Sequence, residues 1–110
     1  MLVQTAIITN GAALSDDIPC LDWPAIGLIM PAAWTAADLT FQVSIDGTNY
    51  YNLYDDGGNE VLVDAAVDRY VALPPTLFAG VLQFKVRSGT SGTPVNQGAD
   101  RTITIVGRPY

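Results

Sequence analysis

Residues 39–54 read Leu39-Thr40-Phe41-Gln42-Val43-Ser44-Ile45-Asp46-Gly47-Thr48-Asn49-Tyr50-Tyr51-Asn52-Leu53-Tyr54. Leu39, Phe41, Val43 and Ile45 alternate with Thr40, Gln42, Ser44 and Asp46. That is the period-2 pattern of a half-buried strand with one apolar and one polar face. Asp46-Gly47-Thr48-Asn49 then supplies residues that tolerate positive φ in a tight turn. Tyr50-Tyr51-Asn52-Leu53-Tyr54 is aromatic and strand-prone. The whole stretch predicts a β-hairpin.

The same reading extends in both directions. Leu82, Phe84 and Val86 alternate with Gln83, Lys85 and Arg87, and Ile103 and Ile105 alternate with Thr102, Thr104 and Val106. These patterns predict further strands, with Leu39, Phe41, Val43, Ile45, Leu82, Phe84, Val86, Ile103 and Ile105 facing inward. Residues 3–9, 27–30, 61–63 and 69–73 are shorter strand candidates. Residues 10–19 read as a polar loop. Residues 88–100, rich in Gly, Ser, Thr, Asn and Pro, read as a long exposed one. Residues 31–38 have room for one helical turn with Thr35 as its N-cap. With no sustained helical periodicity, about seven or eight short strands separated by turn signals predict an all-β fold. The expected architecture is an antiparallel β-sandwich or jelly roll, one domain over residues 1–110.

Hydrophobic residues make up 49% of the 110 residues and charged residues 15%. Such a chain buries a core and does not stay disordered. Its charged fraction is below the roughly 25% usual for soluble domains, which implies that a partner covers some of the surface. The net charge is −6, and the cations are only Lys85, Arg69, Arg87, Arg101 and Arg108. Scattered cations among eleven carboxylates argue against a nucleic-acid partner and against an anionic membrane surface. Residues 23–34 are apolar but are cut by Pro24, Gly27 and Pro31, and the run is too short to span a bilayer. The run holds more apolar residues than one short strand buries. It is therefore expected to form a contact patch through Ile26, Ile29 and Trp34, between copies in a symmetric homo-oligomer or against another protein. Residues 2–8 and 107–110 are expected to add strands or arms to neighbours. The start, Met1-Leu2-Val3-Gln4, lacks a basic leader, so a soluble protein made in a cytoplasm is expected.

Catalytic options are few. The chain has no histidine and one cysteine, so the common nucleophile–base pairs and Cys/His metal sites are absent. Cys20 reads as a small buried hydrophobe. Asp16-Asp17, Asp46 and Asp55-Asp56 sit in turn contexts, where carboxylates shape the chain and keep it soluble. In Asp55-Asp56-Gly57-Gly58-Asn59-Glu60, glycines fall where a calcium loop needs a donor. No enzyme activity, metal or cofactor is expected. The best ligand-binding candidates are Trp34, Tyr50 and Tyr54, as platforms for stacking a glycan. Strand alternation puts Tyr50 and Tyr54 on one face and Tyr51 with Leu53 on the other.

Two resemblances add to this. The run from Leu39 to Tyr51 resembles the strand–turn–strand of discoidin-type, galactose-binding-like β-sandwiches, with its Val-x-Ser-x-Asp-Gly-x-x-aromatic pattern. Arg69-Tyr70-Val71-Ala72-Leu73 and Phe84-Lys85-Val86-Arg87 are similar to later strands of that family. This match covers about half the chain and concerns fold more than ligand. A second resemblance spans most of the chain. Met30-Pro31-Ala32-Ala33-Trp34-Thr35-Ala36-Ala37-Asp38-Leu39-Thr40-Phe41-Gln42, Phe84-Lys85-Val86-Arg87-Ser88-Gly89-Thr90, Pro94-Val95-Asn96-Gln97 and Arg101-Thr102 resemble small structural proteins of tailed bacteriophages. That resemblance implies a capsid cement or decoration protein on the outer surface of a virion, in contact with the major capsid protein or other virion proteins. It carries over no functional residues. The alternative it leaves open is a carbohydrate-binding module in a phage fibre or baseplate.

Overall fold

The computed structural model describes residues 2–108. Eight strands form: β1 (Leu2–Ile8), β2 (Ile18–Pro19), β3 (Ala25–Ile29), β4 (Leu39–Ser44), β5 (Tyr51–Asn52), β6 (Tyr70–Ala72), β7 (Gln83–Ser88) and β8 (Arg101–Gly107). They make two four-stranded sheets, ordered β1-β8-β3-β6 and β2-β7-β4-β5. Every pairing is antiparallel. The protein is a small all-β sandwich, and no helix forms among the described residues.

The alternating strands supply the core as their pattern requires. Leu39, Phe41, Phe84, Val86, Ile103 and Ile105 are buried. Phe41 and Phe84 lie edge to face at 6.0 Å. Phe78 completes the aromatic cluster, stacked on Phe84 at 4.3 Å and edge-on to Phe41 at 5.2 Å. Phe78 belongs to no strand. It is delivered by successive tight turns, in which Leu77, Ala79 and Val81 donate to the carbonyls of Pro74, Thr76 and Phe78. The opening Pro74-Pro75 cannot continue a strand ladder, so the chain folds inward and plugs the space between the sheets.

Several expectations are corrected. Ile45 does not face inward; it is 74% exposed. β4 ends at Ser44, whose Oγ accepts the N–H groups of Asp46 and Gly47 and so turns the chain before Ile45 can take the next inward position. Leu82 is only half-buried; Val43 is half-buried too but faces inward as expected, packed against the core opposite Phe84. Residues 31–38 form no helical turn. Thr35 Oγ1 accepts from Gly98 N–H and Arg101 Nη2 instead of capping a helix. Residues 61–63 contribute only the isolated bridge Leu39↔Val63. β2 arises inside the expected 10–19 loop. The N-terminal strand is no free arm: all seven residues of β1 pair with β8. Of the expected C-terminal arm, Pro109 and Tyr110 lie outside the described residues.

The 88–100 segment is also not a loose loop. Ser88, Gly89 and Gln97 are buried. Gly89 has φ 87° and no room for a β-carbon beside Thr93 and Val95, so the chain doubles back there. Gln97 pins the far end. Its Oε1 accepts from Thr35 N–H and Arg101 Nε, and its Nε2 donates to Thr35 O and Ser88 Oγ.

Candidate functional site

The two outer faces of the sandwich differ in chemistry. On the first sheet, strand register aligns the outward side chains in rows. Val3, Val106, Gly27 and Ala72 form one row, Thr5, Thr104, Ile29 and Tyr70 a second, and Ile7 and Thr102 a third. Val3, Ile7, Ile29 and Tyr70 are 55%, 40%, 42% and 53% exposed. Not one of the five basic and eleven acidic residues projects from these rows. Ten positions, at about 4.8 Å between strands and roughly 6.6 Å between rows, give a projected area of about 300 Å². That is the size of the largest apolar patch on an ordinary monomer, which often serves a function.

The outer face of the second sheet is polar. Gln42 stands between Asn52 and Lys85, and Thr40 beside Arg87. Alternation along β5 and its flanks places Tyr50 and Tyr54 on this face with Asn52. A cleft of about 320 Å³ opens here, lined by Ala13, Leu14, Gln42, Asn52, Arg87, Ser91 and Pro94. Its floor is the Arg87 side chain, 5% exposed, with Nη1 3.5 Å from Glu60 Oε2. Those two atoms are buried and form no hydrogen bond, so they attract only as charges. Arg87 Nη2 donates to Asn52 Oδ1 at 2.6 Å, and Ser91 N–H donates to Glu60 Oε1 at 3.1 Å.

The residues expected to bind are dispersed. Ile29 lies on the uncharged face of the first sheet. Ile26 is half-buried at the β3 bulge, its carbonyl taken by Leu73 N–H. Trp34 is half-buried against the core, its Nε1–H bonded to Ala37 O at 3.0 Å. Tyr50 is committed to its own sheet: its hydroxyl donates to Asp17 and accepts from Gln83, and Lys85 Nζ sits 4.6 Å above its ring. Burial and the bond to Asp17 push its phenol above the ordinary value. Tyr54 is 52% exposed and bridges to Glu60 beside the cleft floor. Trp34, Tyr50 and Tyr54 therefore make no common stacking platform. Sequence reading missed Gln42, Asn52, Arg87 and Ser91. The alternation that put Phe84 and Val86 inward did put Arg87 outward, but the cleft needs the 88–95 turn folded over it.

The carboxylates act on the chain itself. Asp46 Oδ1 accepts from Thr48 and Asn49 N–H, each at 2.8 Å. The Asn49 and Thr48 amides hold this carboxyl well below the usual carboxylate range. Asp55 Oδ1 accepts from Gly57 and Asn59 N–H at 2.9 Å, closing a plain hairpin turn. Among the described residues no three acidic or cysteine side chains are grouped to hold a metal ion. Cys20 is buried, and desolvation pushes its thiol up to about 11. Comparison with protein families, curated proteins and solved structures finds no match to the chain.

Proposed function

We propose that the protein is a non-enzymatic structural component of a tailed-bacteriophage virion, a capsid cement or decoration protein that binds shell protein through the outer face of its first sheet. The observation that carries this reading is the uncharged face itself. In a chain of net charge −6, the ten positions of these three rows carry no charged side chain. Seating that face against a partner desolvates threonine, valine and isoleucine and strands no charge. The acidic remainder is repelled by packaged DNA, which favours the outside of the shell. The resemblance to small virion proteins supports the same reading.

The test is co-sedimentation with shells of the phage that encodes the chain, alongside mass spectrometry of its purified virions. Ile29→Asp and Thr104→Glu place a charge on the face. Leu62→Asp changes a residue 49% exposed elsewhere. Binding by the native chain, weakened at least about tenfold by the face variants and not by Leu62→Asp, supports the proposal. Absence from virions together with no shell binding overturns it.

A further inference from the structure

We infer that the Arg87 cleft on the second sheet binds a neutral sugar residue. The inference is independent of the virion reading, because it concerns the opposite face.

The cleft is assembled from three parts of the chain. β4, β5 and β7 give Gln42, Asn52 and Arg87; residues 13–14 wall one side, and the doubled-back turn after β7 brings Ser91 and Pro94 over the other. The turn is tied down at the floor, since Ser91 N–H bonds Glu60, which faces Arg87. Its size is at the low end for ligand sites, which suits one small ring.

Charge selects against an anion. Arg87 is the cleft's only cation, and Glu60 faces it at 3.5 Å behind the floor, so the pair presents no net charge. Hydrogen bonding then selects for hydroxyls. Arg87 Nη2 takes Asn52 Oδ1, which fixes the amide so that Nδ2 is left as a donor. Among the described residues, Asn52 Nδ2, the Gln42 amide and Ser91 Oγ have no hydrogen-bond partner. They offer donors and acceptors close together, beside the apolar walls of Leu14, Ala13 and Pro94. A pyranose matches this mixture: adjacent hydroxyls that each donate and accept, and a C–H face for the apolar wall.

The experiment is amide NMR titration of the full chain with glucose, galactose, mannose and N-acetylglucosamine, and in parallel with glucuronate and a capped glutamine dipeptide. A neutral sugar with millimolar affinity, shifting the Gln42, Asn52 and Ser91 resonances, is expected. Glucuronate binds more weakly. Gln42→Ala weakens binding at least about tenfold. Asn52→Asp keeps the acceptor for Arg87 but deletes the donor, and it weakens binding to the same degree while circular dichroism stays native. No shift from any neutral sugar at about 50 mM overturns the inference, as do sugar binding that survives both variants and binding of the dipeptide alone.

Discussion

Tyr70 lays its ring across Gly27 of the adjacent strand, where a β-carbon would have no room. The two are diagonal neighbours, since Gly27 pairs with Ala72 and Tyr70 with Ile29. An aromatic ring over a strand glycine shields backbone that the missing side chain leaves open. Gly27→Ala expels a ring that is already half-exposed, so its stability cost is about 1 kcal/mol, at the low end for overpacking. The displaced ring roughens the uncharged face, so the shell binding proposed above weakens while the fold is kept. Parallel melting and co-sedimentation of the variant check this.

Phe78 carries more of the core than its position in a turn suggests. It is fully buried and stacked on Phe84. Phe78→Ala and Phe84→Ala each cost about 3–5 kcal/mol in urea unfolding. A much smaller cost for Phe78→Ala would show that the plug is not packed as described.

Gln97 is 1% exposed and holds the 88–100 segment to Thr35 and Arg101. Gln97→Ala strands the buried Ser88 hydroxyl and the half-buried Thr35 amide groups and costs roughly 1–3 kcal/mol. The freed segment becomes a site of limited proteolysis, with cleavage mapped by mass spectrometry between residues 89 and 100.

Asp46 gives the hairpin an acid-sensitive contribution. Its folded pKa lies below the unfolded value, so its contribution is present above the ordinary carboxylate pKa. The contribution is lost as pH falls through the depressed folded value. Asp46→Asn is therefore less stable than the native chain at neutral pH. The gap between their melting temperatures narrows as the solution is acidified below about pH 4.

Cys20 stays a thiol in the folded protein, with its pKa pushed up to about 11 by burial. Thiol reagents at neutral pH then label it only as fast as the fold opens. Labelling that accelerates in parallel with urea unfolding is the expected result; rapid modification of the native protein contradicts it.

The sandwich was legible wherever one face of a strand is apolar and the other polar. Phe41, Phe84, Ile103 and Ile105 announce their burial by alternation alone. Ile45 misleads because the Ser44 hydroxyl, a local hydrogen-bond donor and acceptor, ends the strand one pair early. Phe78 was illegible because its burial depends on turns, not on a strand period. The candidate surfaces divide the same way. Ile29 follows from local apolarity, but the uncharged rows depend on which strands become neighbours. The cleft depends on a Gly- and Ser-rich segment whose composition reads as solvent-exposed, and which a single buried glutamine holds in place.

The pairing of Leu2 with Gly107 brings the start of β1 and the end of β8 to one corner of the first sheet. Paired strands lie about 4.8 Å apart, so a short linker joins them at little closure entropy. The domain is thus suited to splicing as a unit into a surface loop of another protein. A circularly permuted chain, reopened at the exposed Asp56-Gly57-Gly58 tip, should keep both sheets intact.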